Sequence, residues 1–377
     1  MIIKKLVLEN YRIFSKGDFE FERGINWIIG KNSIGKTSLL ESILFCFSGE
    51  LINPYNPISF NQDSASIFIQ IELNQILHNL SIVLQRKKNN NDSSEQFEKK
   101  IYHNGKAIQR LIDIKQKFLV PNFINVFDIS SNDPESKRKV IDRFILTVDE
   151  DYSKYYNDYK KVLKQKTSIL KTGSYQEVLE SINKRIIKYS SYISAKRIFY
   201  LSTIINDLYL ASKKIWKEID EIVILYSTVS NRTFRISLNS GLENSRLDLN
   251  VLTSSLAEDY QMGLEKYREQ ELEKQKVIVS SNRDNFEFII GMKGRQYFVK
   301  HIFSQSQINM FILLFFFSLV KQVKRKYNYY PILLLDEPFV FLDKENTLKM
   351  IRIMQNYPQV IVSSSRDEEV VGKKIFL

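Results

Sequence analysis

Ile2–Leu8 and Asp18–Glu22 read as short strands joined by a polar turn at Asn10-Tyr11-Arg12. Gly24 then precedes the apolar run Ile25-Asn26-Trp27-Ile28-Ile29, which leads straight into a glycine-bounded loop, and Ser38–Leu44 follows with helical spacing. Alternation over Ser66–Glu72 and Leu80–Leu84 predicts further strands. Asn104-Gly105, between Ile101–His103 and Lys106–Ile108, is a two-residue hairpin turn, and the Asn-, Lys- and Ser-rich tract Lys87–Glu95 reads as a hairpin tip. The N-terminal part is therefore β-rich, with one helix after the loop.

From Pro134 the period lengthens. Val140, Ile141, Phe144 and Ile145, then Tyr152, Tyr155, Tyr156, Tyr159 and Val162, recur at helical spacing among Lys, Asp and Glu. Gly173 interrupts, and a second helical stretch runs from Ile182 to Trp216, so the two predict a short antiparallel arm. The tyrosine spacing is that of a packing stripe rather than a base-stacking platform. A β stretch at Phe234–Leu238, a helix over Leu252–Glu273 and strands at Lys276–Val279 and Phe286–Ile290 follow. The longest apolar run, Met310–Phe317, is shorter than the ~20 residues a membrane-crossing helix needs, so it predicts a buried helix and no membrane partner.

At 377 residues and 44% hydrophobic content, two structural units with full cores are expected. Lys plus Arg total 55 against 43 Asp plus Glu, a net charge of +12. That balance favours a polyanionic partner such as nucleic acid, although scattered lysines on solvated helix faces give the same sum. Cys46 is the sole cysteine, which excludes an internal disulfide and a Cys-based zinc site and fits a reducing cytoplasm. Met1–Lys5 opens a strand pattern, so no export leader is expected.

The loop Gly30-Lys31-Asn32-Ser33-Ile34-Gly35-Lys36-Thr37 fits the phosphate-binding pattern between a strand and a helix. Its glycines let backbone amides approach phosphates, Lys36 reaches the β- and γ-phosphates of ATP, and Thr37 ligates Mg²⁺. Near the other end of the chain, Pro331–Leu335 reads as a strand buried on both faces that ends in Asp336-Glu337. Asp336 would hold Mg²⁺ through water, and Glu337 would orient or deprotonate the attacking water. Ser304-Gln305-Ser306-Gln307 stands at the start of the apolar helix, either as a simple N-cap or as a sensor of the γ-phosphate. The order of P-loop, Ser-rich cap, Asp-Glu, Asp343 and the strand Val360–Val362 ending in Ser363-Ser364-Ser365 resembles that of ABC-type ATPases.

The resemblance extends to the RecF family of DNA replication and repair ATPases, related to SMC proteins. Leu8–Arg12 is similar to the family's Asn-Phe-Arg opening, Asn32–Glu41, including Ser38, to its phosphate loop, and Ser136–Asp142 to its basic helix opening. Asn282-Arg283-Asp284 resembles its His-Arg-Asp segment, and Ser304–Gln307 its Ser-Gln-Gly-Gln signature, with Ser306 in place of a glycine. Asp128–Asp133 is shorter than the family's acidic loop.

By that resemblance the fold is α/β: an ABC-type ATPase head with a P-loop mixed sheet, a β-rich subdomain and an inserted helical lobe. The expected divisions are 1–128 for the first part of the head, 129–275 for the lobe and 276–377 for the second part. The resemblance also implies ATP and Mg²⁺ as cofactors, and DNA, a second copy of the chain and RecO/RecR-type loading proteins as partners. Ser304, with Ser306 and Gln307, would contact the γ-phosphate held by the other subunit's Lys36. Arg12 would lie near the nucleotide, and Ser365 would occupy the switch position. A transporter ATPase would need a membrane partner, and an SMC tether would need long arms or a Cys hook that Cys46 alone cannot make. A nucleotide-gated protein-interaction module, for example in a defence system, is the alternative.

Overall fold

Strand β1 (Ile2–Tyr11) pairs antiparallel with β2 (Phe14–Glu20), but β3 (Gly24–Ile29) leaves that sheet and runs through the glycine loop into helix α1 (Lys36–Ser48). The first sheet is completed by β4 (Ser64–Leu73), β5 (Ile76–Arg86), β6 (Phe97–His103) and β7 (Lys106–Ile108), in the order β2-β1-β4-β5-β6-β7. This computed structural model describes residues 1–49, 51, 56–87, 97–108, 114, 118, 122–125, 133–173, 176–238, 248–366 and 371–377. Of the expected hairpin tip only Lys87 is described, and of the expected polar loop at 128–133 only Asp133. The β1–β2 turn falls later than the polar residues suggest, at Arg12–Ile13, because the Tyr11 ring is buried in the core and keeps its backbone in the strand. Asn104 and Gly105, with φ of 48° and 78°, form the expected hairpin turn, whose type needs positive φ at both positions.

The second sheet joins both ends of the chain. β3 pairs with β14 (Gln359–Ser364) and β15 (Lys373–Phe376), and β13 (Leu333–Asp336) links β14 to β8 (Asn122–Asn125). Expected as mixed, this sheet is parallel in every described pairing. Its central strands β13 and β14 are buried along their whole length, as their unbroken apolar runs require. Helix α1 is buried nearly all round, and Leu39, Leu40, Ile43, Leu44 and Phe47 share one core with Leu6, Ile67, Ile82, Leu334 and Ile361 from the two sheets. Helix α9 (Lys344–Met354), capped by Asp343, belongs to the same unit.

The chain forms two compact units, Met1–Val126 with Val323–Leu377, and Phe127–Gln322. The second unit holds α2 (Pro134–Val148), α3 (Glu150–Thr172), the long α4 (Gln176–Ile215), α5 (Leu249–Lys266), α6 (Arg268–Lys274), α7 (Val299–Ile302) and most of α8 (Gln305–Tyr327). Its own antiparallel sheet has the order β10-β9-β11-β12, from β9 (Ile219–Ser227), β10 (Thr233–Ile236), β11 (Asn285–Met292) and β12 (Arg295–Phe298). The division expected at 275/276 therefore falls at 322/323, since β11 hydrogen-bonds to β9 along its whole length and keeps residues 285–298 with the helices. Lys276–Val279 is not a strand. The Ile278 and Val279 amides donate instead to Glu271 Oε1, at 2.8 and 2.9 Å.

Helices α3 and α4 pair antiparallel: Tyr155 stacks on Tyr192 with ring centroids 3.9 Å apart, Val162 packs on Ile186, and Gln165 accepts from Arg185 at 3.0 Å. The tyrosines of α3 thus pack. Asn309–Val320 of α8 are all buried, with Phe311 and Phe315 against Phe288. Arg197 of α4 is fully buried and grips both carboxylate oxygens of Asp142 on α2, at 2.7 and 2.8 Å, while donating to the Ser281 carbonyl at 2.7 Å. Beside it the buried Asp284 accepts from the hydroxyls of Tyr226 and Tyr260, at 2.7 and 2.6 Å. Replacing Arg197 by Met leaves Asp142 buried without its counter-charge, a change that costs about 3–5 kcal/mol. Urea denaturation should show that loss, and an unchanged midpoint would contradict it.

Candidate nucleotide site

The parallel register of β3, β14 and β13 puts their carboxyl ends side by side, the usual place for a ligand crevice in such a sheet. At the end of β3 the loop turns tightly. A Cβ on Gly30 would lie 2.8 Å from Ile34 Cγ2, and Gly35 has φ of 107°, where a Cβ would meet Ile13 Cδ1 at 2.5 Å. A crevice of about 310 Å³ opens there, lined by Ile13, Asn32, Ser33, the Gly35–Ser38 turn and Glu337. Lys31 contributes its carbonyl: the buried Lys36 Nζ donates to Gly30 O at 2.7 Å and Lys31 O at 3.0 Å, and pairs with Glu337 Oε1 at 3.0 Å.

At the end of β13 Asp336 is buried. Its Oδ2 accepts from Thr37 Oγ1 at 2.8 Å, and its Oδ1 from Ser363 Oγ at 2.6 Å. Burial pushes its pKa above the ordinary carboxylate value, and the charge of Glu337 adds to this; the two hydroxyls and Lys36 oppose it. Glu337 takes a left-handed φ of 47°, costing a non-glycine residue roughly 1–2 kcal/mol. That turn aims its amide at Ser363 Oγ, 2.8 Å away, and its Oε2 accepts from the Ser365 amide and hydroxyl at 3.2 and 3.3 Å. Strain of this kind collects at functional sites.

Lys36, Thr37, Asp336, Glu337 and Ser365 are thus brought together within the first unit. Arg12 forms an ion pair with Glu41 of α1, one residue before Ile13 of the crevice wall. Ser304, Ser306 and Gln307 belong to the second unit at the start of α8. There the Gln307 amide donates to Ser304 Oγ at 3.3 Å and the Ser304 amide to Gln307 Oε1 at 2.9 Å, a reciprocal N-cap. Sequence reasoning singled out Ser365 but missed Ser363, the hydroxyl that joins Asp336 to Glu337. The signal was the period of two: Ser363 and Ser365 face the acids, while Ser364 Oγ turns to the Arg366 carbonyl at 2.8 Å. A buried carboxylate whose charge burial opposes, set beside a threonine hydroxyl, is an oxygen donor set suited to a hard divalent cation such as Mg²⁺.

A glycine loop with its lysine at the end of β3, serines at the end of the neighbouring parallel strand β14 and paired acids at the end of β13 beyond it define an ABC-type ATPase head. Residues 2–374 match the RecF/RecN/SMC N terminal domain, and the chain belongs to that family. Among curated relatives, the DNA replication and repair protein RecF of Natranaerobius thermophilus is 24% identical, the match covering 99% of this chain and 93% of the relative. That of Clostridium kluyveri is 26% identical over 98% and 94% of the two chains. The fold is shared with the solved recombination mediator protein RecF-ATPrS of the RecFOR pathway, at a TM-score of 0.78 and 21% identity over 99% of this chain and 96% of that one. An SMC head bound to the C-winged helix domain of ScpA aligns at a TM-score of 0.52 and 14% identity, over 97% of this chain and 90% of that one.

Folding makes Asp336 harder to ionise, so the native state holds its proton to higher pH than the unfolded chain does, and this group's contribution to stability falls as pH rises from the ordinary carboxylate range through the raised value. Asp336→Asn removes that dependence. Melting temperatures measured across pH without nucleotide should move in the variant's favour as pH rises above the ordinary carboxylate range, about 4; a difference flat with pH would contradict the assignment.

Proposed function

We propose that the chain is an ATP-dependent DNA-binding ATPase of RecF type, whose ATP-bound form is a homodimer that clamps DNA in recombinational repair or replication restart. The observation that carries this reading is the convergence of Lys36, Thr37, Asp336, Glu337 and Ser365 at one sheet edge, in a chain whose relatives are named DNA replication and repair proteins along nearly its whole length. RecO/RecR-type loading proteins fit the same reading, since the solved RecF neighbour is described as part of the RecFOR pathway.

ATP seats its phosphates against the amides of residues 30–38, where the N-terminus of α1 adds its positive end. Lys36 exchanges its Glu337 partner for β- and γ-phosphate oxygens. Glu337 is then held by Ser365 alone, with a carboxylate free to orient and deprotonate the attacking water. Thr37 and Asp336 would hold Mg²⁺, which would supply positive charge against the phosphates. Ser304 of a second copy completes the site at the γ-phosphate, so two such sites form across a twofold axis. ATP binding favours the closed dimer, and hydrolysis to ADP and phosphate removes the bridging group and shifts the population back to open. Turnover is slow because the site assembles only on dimerisation, and the Ser306 side chain stands where a glycine would let backbone approach phosphate.

Glu337→Gln keeps the shape of the side chain and removes the base. It should bind ATP, lose nearly all hydrolysis and accumulate dimers that light scattering detects. Monomers at saturating ATP and Mg²⁺ would contradict the proposal.

A further inference from the structure

We propose that a basic cleft within the second unit, between α2, α3 and the segment Val277–Arg283, binds the phosphate backbone of a nucleic-acid strand. The inference rests on the DNA-binding reading above and gives it a site. The cleft has a volume of about 740 Å³. Helix α2 contributes Arg138 and Lys139, α3 contributes Lys164 and Lys171, and Arg283 closes the third side. Lys164 and Lys171 are two turns apart on one face of α3, with the hydroxyls of Thr167 and Ser168 between them.

The charge of this cleft is unbalanced. Lys139 is paired with Glu135 at 2.8 Å, and the buried Arg197 on the floor with Asp142 at 2.7 Å. Arg138, Lys164, Lys171 and Arg283 have no carboxylate partner among the described residues; Arg138 donates only to the Asp284 carbonyl. Elsewhere on α3, Lys154 pairs with Asp151 at 3.4 Å and Lys161 with Asp158 at 3.0 Å, while Lys160 lies over the Tyr156 ring, 4.6 Å from its centroid. Burial and the neighbouring Arg197 oppose the charge on Arg138 and outweigh the nearby carboxylates of Asp284 and Asp142. Like charges gathered in a concave site repel one another and focus a positive field, and an entering polyanion relieves both effects. Along the helix axis Lys164 and Lys171 are about 10 Å apart, too far to share one phosphate, which favours a chain of them.

This changes which residues of the basic helix opening are available. Lys137, which the sequence places beside Arg138 and Lys139, is buried, and its Nζ donates to the Phe286 carbonyl at 2.8 Å. Burial holds its pKa down to about 8. The exposed cations across the cleft, Lys164, Lys171 and Arg283, lie far away in sequence and show no pattern until the helices pack.

The test compares the full-length chain with Lys164→Gln/Lys171→Gln/Arg283→Gln, and with a control of equal charge change elsewhere on the same helix, Lys154→Gln/Lys160→Gln/Lys161→Gln. Fluorescence anisotropy with labelled single-stranded and duplex DNA is read against salt, and melting temperature checks folding. The cleft variant should bind roughly tenfold more weakly or worse, with a log–log salt slope shallower by about 2 to 3, while the control changes little. Equal losses in the two variants, or an unchanged cleft variant, would overturn the site and leave the DNA reading standing. Failure of the unaltered chain to bind DNA would overturn both. Binding of inorganic tripolyphosphate that the cleft substitutions abolish, with DNA affinity unchanged, would make this a small-polyanion site and likewise overturn the proposal.

Discussion

The burial of one carboxylate, Asp336, constrains the rest of the head. A charge at the end of a strand buried on both faces needs compensating groups, and the parallel register supplies them: Ser363 from β14 on one side and Thr37 from the start of α1 on the other. The two hydroxyls do not fully offset burial, because the carboxyl remains harder to ionise than in water. A divalent cation bound there would relieve that penalty. The same hydroxyl of Ser363 accepts the Glu337 amide, so Asp336 and the proposed base are fixed by a single atom. Left-handed backbone at Glu337 is the local cost of presenting both acids on the same side.

Much of this was legible in the sequence because it is local. The strand–loop–helix context of Gly30–Thr37, the apolar run before Asp336 and the Asn104-Gly105 turn each depend on neighbours in the chain, and all form as expected. Where reading failed, a distant partner decided. Val277–Val279 carries apolar residues at strand-like spacing, yet Glu271 captures its amides. The division of the chain moved from 275 to 322 because β11 finds β9, a pairing no local pattern reveals. Ser363 was overlooked because its importance lies in what it bridges.

The second unit obeys a different economy. Its interior is polar and fully charged in places, with Arg197 clasped by Asp142 and Lys166 against Glu271 at 2.6 Å. Such pairs add little net stability but penalise any arrangement that breaks them, which makes the packing of α2, α3 and α4 specific. The same packing draws unpaired cations of α2 and α3 to one cleft. Ser304 and Gln307 cap α8 reciprocally in this unit, and that structural duty is compatible with a second one, since a capped helix start also presents a hydroxyl and a positive dipole to an anion.

In the proposed dimer Lys36 and Ser304 act on the same nucleotide from different copies of the chain. This is tested most directly by mixing two inactive variants, Lys36→Ala and Ser304→Ala, and measuring ATP hydrolysis. In a mixed dimer one site carries both lesions and the other carries neither. The mixture should therefore regain activity that neither variant has alone. A mixture as inactive as its components, under conditions where mixed dimers form, would contradict a shared site.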